Sequence, residues 1–209
     1  MKKVLMTLAL VAVAATSAFA QLSVGAGYLS NTQKYSYTSG SSTTTTPTTT
    51  SGFYAGADYG FDLGQGLGLS AGLKGAFLFG KDTASLLGVS TTSKSTEIYL
   101  AVPVLVNYNY AITNDFKVFA YAGPSFAFGL SSKSKTTNNV NDDVTTTDHY
   151  GDDSKYGRTN LFLGAGVGVD LLNMIRIKAG YDIGLLNRSS ADNTKINDAQ
   201  WSVGVAYLF

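Results

Sequence analysis

Residues 96–110 read TEIYLAVPVLVNYNY, which puts Ile98, Leu100, Val102, Val104, Val106, Tyr108 and Tyr110 on one side of an extended chain. Glu97, Asn107 and Asn109 fall on the other side. A period of two marks a strand with unlike faces, because successive side chains point to opposite sides of a sheet. The same alternation recurs at about 21–30, 52–62, 67–79, 116–129, 160–170, 175–184 and 201–209. Each segment reaches the length of roughly 9 to 11 residues that a tilted strand needs to cross a bilayer. Strands of this number predict an all-β fold, an eight-stranded antiparallel up-and-down transmembrane β-barrel.

Two features assign the faces. Gly56, Gly60, Gly68, Gly72, Gly123, Gly164, Gly166, Gly168, Gly180, Gly184 and Gly204 share the polar face. A narrow lumen needs small residues, whereas a solvated sheet surface gains nothing from glycine. The apolar face carries no charge and grades from aromatic to aliphatic to aromatic, as bilayer-facing strands do. Tyr59, Phe61, Tyr108, Tyr110, Phe116, Tyr207 and Phe209 form one expected girdle, and Phe53, Phe77, Phe79, Phe126, Phe128 and Trp201 the other. Tyr54, Tyr99, Leu105, Phe119, Tyr121 and Phe162 have inward parity and are expected either to plug the lumen or to mark local bulges. Pro103 and Pro124 suggest bulges, since neither donates to a ladder.

Connections alternate in length. Tight turns are expected near Gly64-Gln65-Gly66, 112–115 and Leu172-Asn173, with long loops at about 31–51, 80–95, 130–159 and 187–200. Outer-membrane barrels place short turns in the periplasm and long loops outside. The tract 41–50, rich in Ser and Thr, is polar and is expected to stay flexible.

The 209 residues include 23 Gly, no Cys and a formal net charge of +1, so no basic footprint points to nucleic acid. Lys2 and Lys3, the apolar run from Val4 to Ala15 and Ala18-Phe19-Ala20 together predict a cleaved signal peptide over 1–20 and a mature barrel domain over 21–209. The product is expected in the outer membrane of a Gram-negative cell, as a monomer in contact with outer-membrane lipid. With Phe209 ending the eighth strand, no peptidoglycan-binding domain is expected to follow.

Several segments resemble the outer-membrane β-barrel domain family common in Bacteroidetes, the PorT-like small barrels. They are Tyr99 to Tyr108, Tyr121-Ala122-Gly123-Pro124, Gly164 to Gly168, Gly180 to Leu185 and Val203 to Phe209. Ala101 stands where members often carry Glu. The ending resembles the aromatic signal read by the barrel-assembly machinery, which makes that machinery an expected partner through Phe209. The resemblance implies an architecture and no particular reaction.

Chemistry is sparse. The lone His149 lies in the longest loop among Asp142, Asp143, Asp148, Asp152 and Asp153, and that spacing fits no calcium-loop pattern. Asp82-Thr83-Ala84 resembles a short O-glycosylation signal. The inward charges Asp58, Lys74, Glu97, Lys117, Asp170, Arg176, Lys178 and Asp182 are expected to pair across strands, Asp58 with Lys74 and Asp170 with Arg176 about their tight turns. No catalytic residue, cofactor or metal site is expected. The predicted role is structural or surface-interacting, through long loops that meet an extracellular ligand. A narrow porin is the alternative, and a lipid-modifying enzyme comes third.

Overall fold

The computed structural model describes residues 20–86, 89–138, 144–151 and 154–209. The signal-peptide reading therefore falls almost wholly on residues outside the described ones, as do Asp142, Asp143, Asp152 and Asp153. The strands are β1 (Ala20–Ser39), β2 (Ser42–Gly64), β3 (Leu67–Leu86), β4 (Val89–Ala111), β5 (Phe116–Asn138), β6 (Val144–Asp148), β7 (Thr159–Leu171), β8 (Ile175–Gly184) and β9 (Thr194–Leu208). All pairings are antiparallel, β4 pairs with β5, and β1 pairs with β9, so eight strands close on themselves. The ninth, β6, is a short ribbon added to the upper part of β5.

Closure removes the free edges that an open sheet leaves unpaired, which a bilayer demands. The predicted faces hold. Val104, Val106, Val167, Val203 and Val205 are exposed on the outside, and Tyr54, Tyr99, Phe119 and Phe162 are buried within. At the upper girdle Tyr28 meets Trp201 with ring centroids 5.2 Å apart, and Phe53 stacks on Phe77 at 5.6 Å. At the lower girdle Tyr59 packs edge-on against Phe61, and Tyr207 against Phe209.

Several inward glycines make room for rings. A Cβ at Gly27 or Gly204 would strike Tyr54, one at Gly166 or Gly180 would strike Tyr121, and one at Gly168 would strike Phe119. Large and small residues thus interdigitate across a lumen just wide enough for them.

The prolines do not create bulges. Pro103 opposes Ser125 and Val106 opposes Ala122 in one unbroken register, so the β4–β5 ladder is interrupted there without being shifted. Its register shifts instead between Ile98 and Tyr99, opposite Leu130. At the first tight turn Gln65 and Gly66 both have positive φ (56° and 80°), the backbone a two-residue hairpin requires.

The long loops are largely strand. β2 has 23 residues, about twice what a crossing needs. The Thr tract is not a flexible loop: it pairs with β1 from Thr50↔Asn31 up to the hairpin at Ser42↔Ser39. Thr is β-branched and favours strands, and hydroxyl pairs tie the ribbon together at Thr32–Thr49, Ser36–Thr45 and Thr38–Thr43. β3 and β4 continue likewise to Leu86↔Val89, which places Asp82-Thr83-Ala84 in a strand with the Thr83 hydroxyl against that of Thr92. Above Ser51↔Phe79, however, β2 and β3 no longer pair. The upper structure therefore splits into two walls, one of β9, β1 and β2 and the other of β3, β4, β5 and β6.

Candidate functional site

The interior is stacked in layers from the short-turn end upward. Lowest is an open bowl of about 390 Å3 lined by Lys117, Asn107, Asn109, Asp170 and Arg176, among others. Asp170 and Arg176 form the expected pair, a two-pronged contact at 2.7 Å with the guanidinium lying 4.4 Å above the Phe119 ring.

Above the bowl, a chamber of about 60 Å3 holds Tyr54, Asp58, Lys74, Tyr121, Lys178 and Asp182. The expected Asp58–Lys74 pair is not formed. Asp58 takes Lys178 of β8 at 3.0 Å, while Lys74 lies over the Tyr54 ring at 5.5 Å. The reason is register. Between Asp62 and Gly64 the ladder shifts, so Asp58 opposes Gly72, and Lys74 opposes Gly56 on β2 and Ala101 on β4. The Lys178 amine reaches Asp58 across the lumen.

Over the chamber sits a packed plug. Leu29, Leu78 and Gln200 are fully buried, with Ala76, Ala101, Ala127 and Phe162 around them. The Tyr99 hydroxyl donates to Gln200 Oε1 at 2.8 Å, and Gln200 Nε2 donates to Asp182 at 3.0 Å. The void beside this layer measures about 10 Å3, at the lower limit for one water molecule.

The plug is roofed by Arg188, from the loop between β8 and β9. Its guanidinium pairs with Glu97 at 2.6 Å and Asp198 at 3.0 Å, donates to the Gly157 carbonyl, and shares Glu97 with the Tyr150 hydroxyl. It also lies 4.3 Å above the Tyr156 ring. Asn160 and Gln33 donate further to Asp198. Burial works against the Arg188 charge, but Glu97, Asp198 and the two phenols outweigh it and hold the guanidinium proton more tightly than usual. Burial, reinforced by the Glu97 carboxylate, raises the phenol pKa values of Tyr150 and Tyr156.

On this floor opens a cup of about 510 Å3 between the two walls. Hydroxyl and amide groups line it, from Gln33, Thr46, Thr48, Thr50, Ser93 and Ser95 among others, with Tyr35 and Tyr156 as aromatic surfaces. Its size falls in the range of ligand pockets. His149 is part of its wall, with Nε2 2.7 Å from Ser134 Oγ. Among the described residues no carboxylate touches the other ring nitrogen, and no group of three or more His, Cys, Asp or Glu converges as a metal site. The acidic cluster proposed around His149 is represented only by Asp148, which accepts from the Tyr150 backbone amide at 2.9 Å.

Sequence reading missed Arg188, Asp198 and Gln200. Asp198 and Gln200 continue the inward parity of Ser202 and Gly204, so extending the last strand backwards by its own period finds them. Arg188 comes from irregular backbone and carries no such signal.

A closed ring of eight strands, with an apolar exterior banded by aromatic girdles and a polar, filled lumen, defines a small transmembrane β-barrel of the Gram-negative outer membrane. The chain belongs to the outer membrane protein beta-barrel domain family, whose model matches residues 6–209. Among solved structures it is similar to Ail, the attachment invasion locus protein of Yersinia pestis, at 15% identity, covering 91% of this chain and 99% of that one with a TM-score of 0.45. It is also similar to OprG of Pseudomonas aeruginosa (12% identity, 92% and 96% coverage, TM-score 0.45) and to the outer membrane enzyme PagL (14%, 89% and 97%, 0.39). No curated protein matches the chain.

Proposed function

We propose that this barrel is a closed, non-catalytic surface protein that binds an extracellular ligand in the cup between its two walls. One observation carries the reading: the lumen is filled by Leu29, Leu78, Gln200 and Tyr99 and roofed by the Arg188 cluster, directly beneath an open, hydroxyl-lined cavity of about 510 Å3. Packing on that scale supports a rigid scaffold, and the strand extensions supply a preformed recognition surface. The Ser134–His149 contact serves the cup wall in this reading, because a nucleophile's base also needs an orienting partner. The segments quoted above support a place among the PorT-like barrels within the family. Partners are the outer-membrane lipid, the assembly machinery through Phe209 and the cup ligand, with the protein acting as a monomer.

The test removes residues 33–48, the upper part of the first hairpin, and closes the gap with a short turn. Binding of the refolded barrel to whole extracellular matrix or glycan arrays is lost while the heat-modifiable shift on gels is kept. Undiminished binding by the truncated barrel refutes the role. A narrow porin is the second reading, favoured by the charged chamber around Asp58, Lys74 and Lys178. Planar-bilayer recordings decide it: the intact barrel gives no conductance steps, and regular steps overturn the closed lumen.

A further inference from the structure

The charges of this protein divide by face. Inside, most are held in ion pairs: Asp58 with Lys178, Asp170 with Arg176, and Glu97 and Asp198 both with Arg188. Outside, between the girdles, the named lipid-facing side chains are apolar. Immediately above the upper girdle the outer face of the second wall behaves differently. Lys81 lies directly opposite Lys94 across β3 and β4, and Lys94 lies directly opposite Lys135 across β4 and β5. Three exposed amines thus form one lateral row over three adjacent strands. Lys133, two residues below Lys135, has the same outward parity and faces Asp148 of β6. None of the three row lysines has an ion pair among the described residues.

Like charges directly opposite one another destabilise a sheet, so a row of three is costly unless an anion lies over it. Nothing in the packing demands these residues, because the same ribbons carry uncharged Thr83–Thr92 and Thr136–Ser93 neighbours without loss of pairing. The height of the row says which anion. Lys81 follows Phe79 of the girdle by two residues, about 7 Å along a strand and about 5 Å along the membrane normal at the usual tilt. The polar layer of a leaflet is roughly 5 to 7 Å deep. Lys81 thus stands at the depth of the headgroups, and the row climbs from it across the tilted strands, since Lys135 follows Phe128 by seven residues; the long flexible stems of Lys94 and Lys135 lie along the barrel and carry their amines back toward that layer.

We propose that Lys81, Lys94 and Lys135 form a binding site for the phosphate groups of an anionic phosphorylated glycolipid in the outer leaflet. The lysines act as point charges that bridge neighbouring phosphates, so the site recognises phosphate spacing and charge rather than one sugar. The site lies on the opposite face of the sheet from the cup and is independent of what the cup binds.

The test uses the refolded barrel in mild detergent, with native mass spectrometry counting bound lipid. The probes are lipid A with both glucosamine phosphates, the same lipid after enzymatic dephosphorylation, and inorganic phosphate. The barrel retains the phosphorylated lipid, and the triple variant K81Q/K94Q/K135Q loses affinity by on the order of a hundredfold, each amine contributing its surface electrostatic share. The triple arginine variant keeps binding. Heat-modifiable migration verifies folding, and Lys94→Gln alone gives a second reading at roughly fivefold weaker binding. Less than a tenfold loss in the triple glutamine variant overturns the site. Equal retention of the dephosphorylated lipid also overturns it, and displacement by millimolar inorganic phosphate would reassign the row to a soluble anion.

Discussion

Replacing Arg188 by Ala tests the roof of the barrel. The guanidinium side chain is 6% exposed, and the carboxylates that share it are 12% exposed for Glu97 and 0% for Asp198. Removing one partner of a buried ion pair costs about 3 to 5 kcal/mol, because the other charge is left without compensation. Here Asp198 keeps donors from Asn160 and Gln33, and Glu97 keeps the Tyr150 hydroxyl, so the loss belongs at the lower end, about 3 kcal/mol. The assay is urea unfolding from phospholipid vesicles, read from the emission of the single tryptophan, Trp201. A neutralised triple variant, R188M/E97Q/D198N, recovers most of that loss, since exchanging a whole buried charge cluster for a neutral one is close to neutral in stability. If Arg188→Ala costs under about 1 kcal/mol, or the triple variant is no better than the single one, charge compensation is not what the roof provides.

Gly166→Val puts a branched side chain where the Tyr121 ring lies, and the refolded yield and heat-modifiable shift fall sharply; a stable variant would show that the rings do not need their glycines. Trp201 emission is quenched more strongly by lipids brominated near the headgroup than by lipids brominated at the chain ends, as its contact with Tyr28 in the upper girdle requires. Burial raises the Tyr150 and Tyr156 pKa values above the ordinary 10.0, so these phenols keep their protons where unfolded chains lose theirs. Their contribution is complete below pH 10 and declines as pH rises beyond it. Ultraviolet titration compares the intact barrel with a Tyr150→Phe/Tyr156→Phe variant: the variant loses two phenols from the part of the curve above pH 10, and a loss from the ordinary range refutes the assignment.

The barrel was legible because each transmembrane residue answers to one of two solvents, and an alternation imposed by solvent survives in sequence. Val104 and Trp201 could be placed against lipid without knowing any neighbour. The upper structure was not legible by the same logic. Both faces of residues 41–50 are polar, so no periodicity marks that ribbon, and Thr reads as loop by polarity although its branched side chain suits a strand. Pairing failed in a related way. Asp170 and Arg176 face each other across one turn, within reach of local symmetry. The partner of Asp58 comes from β8, on the other side of a closed ring, and the hairpin register, which closes on Gly64↔Leu67 and shifts once more near Leu63, leaves Lys74 two residues beyond the Gly72 that faces Asp58. Arg188 illustrates the third limit, since irregular backbone delivers the guanidinium that roofs the plug.

The seam above Ser51 and Phe79 has a mechanical consequence. No ladder holds the two walls together there, so the mouth of the cup can widen or narrow while every strand pair beneath it stays intact. On the β2 lip, Pro47 falls where its nitrogen faces the gap, since it opposes Lys34 at a non-bonded position of the hairpin that starts at Ser39↔Ser42. A missing amide at that point discourages the lips from zipping shut and discourages foreign strands from docking along them. The breadth of the opening can thus change by spreading the lips, with the stave below left folded.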